Sequence, residues 1–515
     1  MEPEKITYRL IESREGTRSM LVNSKGREVP VHSRISPSRE AESMRDRFNP
    51  DIHDILIVLG TGLGYHLMTL KEKLERYSRV VLVDIISGIE REVAETPETS
   101  FLTESGIVMF VAGRDVESAG RIIQDELENA GARGITVVEH PASVRIFPEY
   151  YSAIRETVKR AINRFAGNLV TREALGTRYF RNILRNMSQL GSLRPVSSLA
   201  GLMSGCPSLV IASGPSLDES IEHIAAARNG VYLISVDSAL PVLSSRGIVP
   251  DALVAIDPQP YIYEHMQGYD MTGTVLVCSI SAAPAVVEKY GGFLSLNSHP
   301  LSQVIDSAGP GAIGSIDSST GTVAGDALNA ALMMGSGPVG IVGFDFSFSL
   351  LSIYARGTAY QKRYSLMFQD RLSTVEQRNV DYIRKSSRGI TRSGRSTRQS
   401  FIQYLESFED FIAGMNRGKV YNINGGGIPL SGVEPLSMDS FLEKFCTGSV
   451  DRRGFRDRVE MVDRIDAACV RDSFREIVSD RSVVDELLSA SMGETGLKKR
   501  GKYEHMVMDA AMPEG

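Results

Sequence analysis

The feature that most constrains this chain is a recurring unit. A short run of wholly apolar residues ends on glycine, serine or aspartate, and a helix-forming stretch follows. "DILIVLG" (54–60) leads into "TGLGYHLMTLKEKLE", and "RVVLVD" (79–84) follows. The cycle resumes at "SLVIASGPSLDESIEHIAAA", "VYLISVDSALPVLSSRG", "PDALVAID", "TVLVCSISAAPAVVEKYG" and "GPVGIVGFD". A strand that is apolar at every position, not at every second one, is buried on both faces. Strands of that kind spaced by helices form a parallel sheet with helices on each side. The expected fold class is therefore α/β, with two Rossmann-like parallel-sheet units in tandem and a C-terminal helical region after them.

The 515 residues allow about three domains at roughly 150 residues each. Residues 1–49 read as a β-rich prelude, because "TYRLIES" and "MLVNSKGREVPVHS" alternate apolar and polar positions. Ser36 or Ser38 is the expected cap of a helix there. Residues 50–148 form the first Rossmann-like domain, with an amphipathic helix expected after its glycine-rich turn. Residues 149–204 read as joining helices followed by a linker rich in Ser, Gly and Pro. Residues 205–433 form the central domain, and 434–515 the helical region. Within the central domain, residues 360–400 carry ten Lys/Arg against three acidic residues and read as a mobile basic segment.

Charge and composition exclude several classes. The net charge is −6, so no global basic field points to nucleic acid. The four cysteines form no C-x-x-C pair, which argues against a Cys-based zinc site and for a reducing compartment. The charged N-terminal stretch predicts no signal peptide, and no apolar run reaches the roughly 18 residues of a membrane span. A cytoplasmic protein without a membrane span is expected.

Two turns invite ligands. Gly60-Thr61-Gly62-Leu63-Gly64 follows a strand and opens a helical stretch, and Asp84 closes the next strand. Such a turn offers backbone N–H groups to an anion, and an acid at that second strand end suits a ribose diol. The alternative is a tight packing turn. Ser213-Gly214-Pro215-Ser216-Leu217-Asp218 follows "LVIA". It has the glycine and the helix N-terminus of a phosphate site and lacks the lysine of a P-loop. Other strand ends carry Asp237, Asp257 and Asp345, and Ser318-Ser319-Thr320-Gly321 precedes a helical run. Ligands of doubly wound sheets sit at carboxyl ends of strands, so the three carboxylates are expected in one crevice. Each of them also suits a helix cap or a turn. None of the eight histidines forms a close metal-binding pair, so no metal is expected. His299, in "LNSHP", is a candidate general base or a hydrogen-bonded loop residue.

"ASGPSLD", "SVDSALPVLSSRGIVPDALVAIDPQ", "SSTGTVAGDALNAALMMG" and "GIVGFDFSF" resemble the core of the motility-associated factor (Maf) flagellin glycosyltransferases. "LGTGLGYHL" and "YFRNILRNM" resemble that family's N-terminal and joining segments, so the likeness covers roughly residues 50–430. The resemblance implies a cytoplasmic enzyme. It would transfer a nonulosonic, sialic-acid-like sugar from a CMP-activated donor to Ser or Thr of flagellin, with no tightly bound cofactor. It also implies a central domain similar to bacterial sialyltransferases. By this likeness Ser213, Gly214, Pro215 and Ser216 face the donor phosphate, and Asp237 lies near the nucleoside. Ser319, Thr320 and Gly321 sit near the sugar carboxylate or phosphate, and Tyr354 donates to the phosphate. The chain departs from the sialyltransferase pattern, which has a His base after the aspartate matched by Asp345. Here no His lies between His299 and His505, so Asp345 and Asp257 are the expected catalytic residues. An ATP- and Mg²⁺-dependent enzyme like the pterin diphosphokinases shares "GPSLD" and the aspartate-tipped strands. A non-catalytic flagellin-binding export factor is the remaining alternative.

Overall fold

A computed structural model of the chain describes residues 6–24, 26–48, 50, 53–129, 134–309, 311–349, 351–367, 374–415, 420–423, 425–492 and 500–511. The chain divides into two compact units, Met1–Val170 and Thr171–Gly515.

The first unit opens with an antiparallel meander, β1 (Tyr8–Glu12), β2 (Arg18–Ser24) and β3 (Arg27–Pro30). A parallel sheet follows, made of β4 (Ile55–Leu59), β5 (Arg79–Asp84), β6 (Val108–Ala112) and β7 (Ile135–Glu139) in the order β6-β5-β4-β7. Strand β4 shows why its sequence is apolar throughout. Ile55, Ile57 and Leu59 pack with Ile123, Leu127, Tyr151 and Ile154. Leu56 and Val58 pack with Leu67, Leu70 and Leu74. Alternate residues feed opposite cores. The amphipathic helix expected after the glycine-rich turn is replaced by two short 3₁₀ segments, Tyr65–Leu70 and Leu74–Arg76. The second unit's sheet is also parallel, so the expected α/β class with two parallel-sheet units and helices at the C-terminal end is the class found.

That second sheet has nine strands: β8 (Arg194–Pro195), β9 (Ser208–Ile211), β10 (Tyr232–Val236), β11 (Ala252–Ala255), β12 (Val275–Ser279), β13 (Phe293–Ser295), β14 (Val339–Val342), β17 (Val420–Asn422) and β18 (Glu434–Pro435). Between β14 and β17 lies a small hairpin, β15 (Thr391–Arg392) and β16 (Arg395–Ser396). The nine run in the order β18-β17-β14-β9-β10-β11-β12-β13-β8, all parallel. From β9 the chain builds outward through β10 to β13, then returns to the other side of β9 with β14. The switch in direction therefore falls between β9 and β14, where doubly wound sheets open a crevice.

Residues 191–204 differ from the linker their composition suggests. Leu193, Val196 and Leu199 are fully buried, and β8 pairs with β13. Three apolar side chains at these spacings anchor the stretch, and its Ser and Gly residues only shape its turns. The C-terminal helices Ala467–Val478, Arg481–Ser491 and Arg500–Ala511 bury Phe474, Leu488 and Val507 against Phe180, Ile183 and Leu184. A charged tie joins the helix Arg452–Glu460 to the sheet. Asp251, 2% exposed, accepts from Arg228 Nη1 and Nη2 at 2.9 and 3.0 Å, from Arg452 Nε at 2.9 Å and from the Leu233 amide at 2.8 Å.

Candidate functional site

The carboxyl ends of β9, β10, β11 and β14 gather the polar residues of the second unit. After β9, Ser213–Ser216 leads into the helix Leu217–Ala227. The Asp345 carboxylate, at the end of β14, reaches across the switch point to this turn. Its Oδ2 accepts from the Ser216 amide at 2.8 Å, and Ser216 also bonds it through its side chain. The carboxylate thus occupies the helix N-terminus where a phosphate is expected from the sequence, and it complements the helix dipole there. Gly214 is glycine for the same reason. A Cβ on it would collide with Asp345 Oδ2 and the Gly343 carbonyl. Burial raises the Asp345 pKa, and its Oδ1 is buried without a hydrogen-bond partner. Phe346, just after it, holds φ at 48°, a left-handed conformation rare for a bulky residue. Beyond that bend the chain returns to the turn after β9, where the Ala355 amide donates to the Ser213 carbonyl and Arg356 binds Asp218.

The second group surrounds Asp237. Asp237 and His265 are 4% and 8% exposed, and His265 Nδ1 lies 2.5 Å from Asp237 Oδ2. His265 sits on the short helix Ile262–Met266, which follows β11. Next to it, Asp257 accepts from the Gln259 amide at 2.8 Å and from the Tyr261 hydroxyl at 2.9 Å. Burial raises the Asp257 pKa. Asp237 raises it further and His265 lowers it, so these three groups share one electrostatic neighbourhood. Tyr354 feels Asp237, Arg398, Tyr382 and Tyr404, and burial raises its pKa. Tyr179, pushed up to about 12 by burial, feels Asp257, Tyr404 and Asp326. Arg363 lies over the Tyr261 ring at 5.0 Å and pairs with Glu264.

The Ser-rich turn stands beside this group. Ser319 bonds Asp317 through its amide and hydroxyl, Gly321 faces the Tyr404 ring, and Thr320 is fully buried. Asp326, on the helix Val323–Met333, is pushed up to about 7 by burial. Two side chains of the helix Pro148–Met187 bond to neighbouring loops. Asn182 donates to the Pro258 and Ser281 carbonyls, and Asn186 to those of Ile280 and Ala282. Spaced by four residues, they share a helix face and hold the loops after β11 and β12.

His299 does not serve as a base in this arrangement. Its Nδ1 accepts from the Leu301 amide at 3.2 Å, capping the helix Pro300–Ala308. The proton is therefore on Nε2, and burial pulls the pKa down to about 4. The residues that sequence reasoning passed over are His265, Tyr261, Tyr179, Tyr404, Asp326 and Arg398. His265 was visible only as one of eight scattered histidines. Its partner lies 28 residues away, a spacing that carries no motif.

In the first unit the glycine-rich turn is occupied by the protein itself. Asp84 Oδ2 accepts from the Thr61 and Gly62 amides at 2.7 and 2.9 Å, and Oδ1 from the Ile86 amide at 2.9 Å. The Leu63 amide donates to His32 Nε2 at 2.7 Å. Asp84 is 1% exposed, so the ribose role considered from the sequence is replaced by a turn-closing one. Gly60, Gly62 and Gly64 all hold positive φ, and a Cβ on Gly62 would strike His32 Nε2. His32, Glu40 and His140 bring ligand-type atoms within 4.8 Å of one another. The hydrogen-bond pattern makes a poor metal site. Because His32 Nε2 accepts from Leu63, Nδ1 must carry the proton that it shares with Glu40 Oε2 at 2.6 Å.

The second unit is thus a doubly wound α/β domain with polar residues at the carboxyl ends of its central strands. The family described as 6-hydroxymethylpterin diphosphokinase MptE-like matches residues 181–350. Two uncharacterized proteins of Treponema pallidum (strain Nichols) are 27% identical over 117 residues and 28% identical over 142 residues. Those stretches are 23% and 27% of this chain, and 55% and 25% of the relatives. The chain therefore spans about half of one curated relative and a quarter of the other. A solved Maf glycosyltransferase from Magnetospirillum magneticum AMB-1 is similar over 99% of this chain and 90% of its own, with a TM-score of 0.60 and 14% identity. This chain shares the fold of that Maf glycosyltransferase.

Proposed function

We propose that this chain is a glycosyltransferase that moves a nonulosonic sugar from a CMP-activated donor to Ser or Thr of flagellin. The observation that carries the reading is the Asp237–His265 pair at the carboxyl ends of β10 and β11, in a chain with the fold of a Maf glycosyltransferase. With Nδ1–H donated to the carboxylate, His265 keeps its lone pair on Nε2. That is the arrangement of a general base oriented by a buried acid. The acceptor hydroxyl attacks the anomeric carbon, its proton passes to His265 Nε2, and the bond from that carbon to the CMP phosphate breaks. The imidazolium formed is stabilised by Asp237. The sugar centre passes through an oxocarbenium-like state, and a direct displacement inverts it. In this reading His265 takes the role first sought in Asp257 or Asp345. Asp257, held by Tyr261 and Gln259, orders the donor side, and Asp345 ties β14 to the helix after β9.

The match to the MptE-like family over residues 181–350 favours a second reading, pyrophosphoryl transfer from ATP with Mg²⁺ on Asp237 and Asp257. One experiment separates the two. The purified chain is heated with CMP, CTP or ATP, with and without Mg²⁺, then incubated with flagellin and a CMP-activated nonulosonic acid. Cytidine-selective stabilisation without metal and a sugar-sized mass increase on flagellin support the transferase. Stabilisation by ATP only with Mg²⁺, and no mass increase, overturns it.

A further inference from the structure

Arg398 is in an unusual setting. It is the N-cap residue of the helix Gln399–Ala413, extended at φ −132° and ψ 160°, and its side chain does not cap the helix. A cation at a helix N-terminus opposes the macrodipole. Its guanidinium lies 4.1 Å over the Phe401 ring, and Nη1 donates to the Tyr382 hydroxyl at 2.6 Å. Its Nε is buried without a hydrogen-bond partner. Among the described residues no carboxylate pairs with it, although most arginines named so far do have such a partner. The surroundings are aromatic: Phe348, Tyr354, Tyr360, Tyr382 and Phe401 form one small cluster. A buried donor of an ionised group that is left unmade costs free energy. A positive helix end, an orphan guanidinium N–H and a phenol hydroxyl held by the same guanidinium describe a site for an anion.

The geometry points to Arg398, with the hydroxyls of Tyr354 and Tyr382, as the subsite that receives the phosphate of the nucleotide donor. This rests on the transferase reading and adds a residue to it. The Tyr382 hydroxyl accepts from Arg398 and so keeps its own proton to donate. Tyr354 lies in the same cluster as Tyr382, and the Thr397 hydroxyl, one residue before Arg398, donates to the Phe346 carbonyl, one residue after Asp345. Tyr404, six residues along the same helix, faces Gly321. One helix therefore links the anion subsite to the Ser-rich turn. When the bond to the sugar breaks, the phosphate gains negative charge, and a preorganised guanidinium lowers the barrier there without moving.

The test uses the full chain and four probes: inorganic phosphate, cytidine, CMP and free N-acetylneuraminate. Affinities are read by calorimetry, and stability by thermal unfolding. Wild type is expected to prefer CMP over cytidine by on the order of 10- to 100-fold, as for a charge-assisted contact. Arg398→Gln is expected to abolish that preference, to leave cytidine affinity unchanged and to lose stabilisation by phosphate. Tyr354→Phe gives a smaller loss of the same kind, and serves if the arginine variant fails to fold. The proposal is overturned if the variants bind CMP as wild type does, or if cytidine and CMP weaken together. It is also overturned if wild type ignores both phosphate and CMP, or if Arg398→Gln loses N-acetylneuraminate and keeps phosphate. Phosphate stabilisation that depends on Arg398, with no response to either cytidine compound, keeps the anion site and removes the cytidine donor.

Discussion

Replacing Asp237 by Asn tests the proposed chemistry most sharply. The His265–Asp237 contact is 2.5 Å long and both residues are nearly excluded from solvent. A full charge about 4 Å from the imidazolium, at an effective dielectric constant of about 20, stabilises it by roughly 4 kcal/mol. At ~1.4 kcal/mol per tenfold, that is on the order of 10³ in rate. If the asparagine amide turns its NH₂ toward Nδ1, the ring takes the wrong tautomer, and the loss approaches about 10⁴. Donor affinity should stay within about threefold, because the pair acts on the acceptor's proton. The assay is the initial rate of mass addition to flagellin for Asp237→Asn, His265→Gln and the double variant. Residues that act as a unit are strongly non-additive, so the double variant should be little worse than His265→Gln alone. Losses that multiply, or a His265→Gln rate within tenfold of wild type, would refute the dyad.

Three further outcomes are expected. Asp251→Ala leaves the Arg228 and Arg452 guanidiniums without their buried carboxylate, and should cost about 3–5 kcal/mol in urea unfolding; a loss under about 1 kcal/mol would show the tie is dispensable. Gly214→Ala should destabilise the chain by about 1–3 kcal/mol through overpacking against Asp345, and an unchanged melting temperature would show that the turn has slack. Burial, with neighbouring imidazoles, holds His66 and His140 below their ordinary 6.5. The folded state therefore refuses protons that the unfolded chain takes up. The stability this gives is present above pH 6.5 and lost as pH falls below it. Protection of β4 and β5 amides against hydrogen exchange, relative to their intrinsic rates, should fall from pH 7 to pH 5, and less so in His66→Phe. Equal behaviour of the two proteins would count against this.

The fold was legible because buried parallel strands leave an unmistakable trace. β4, β9, β10 and β11 are buried at every position, and a glycine, serine or aspartate follows each within two residues. What sequence could not give was the partner of each strand-end residue. Asp345 and Ser216 stand 129 residues apart. Nothing local says that the carboxylate fills the helix end and not a ligand's place. The glycine-rich turn is legible as a turn, but its occupants, Asp84 and a histidine that follows the meander, are not. Leu193, Val196 and Leu199 were hidden by the small residues between them. Within the basic segment the charges read as a collective. One of them, Arg398, differs from the rest only through its neighbours in space.

The two outermost strands of the nine-stranded sheet bear on how any partner can approach. β8 is Arg194–Pro195 and β18 is Glu434–Pro435. Each is two residues long, and in each the proline offers no N–H to a further strand. Neither rim can template another chain. At these two rims there is thus no docking by strand addition, the commonest way an extended peptide is gripped by a sheet. Under the proposed transfer, an acceptor protein arriving there is held by side chains instead. Recognition of that kind reads the shape of a folded acceptor more than the sequence around one serine or threonine.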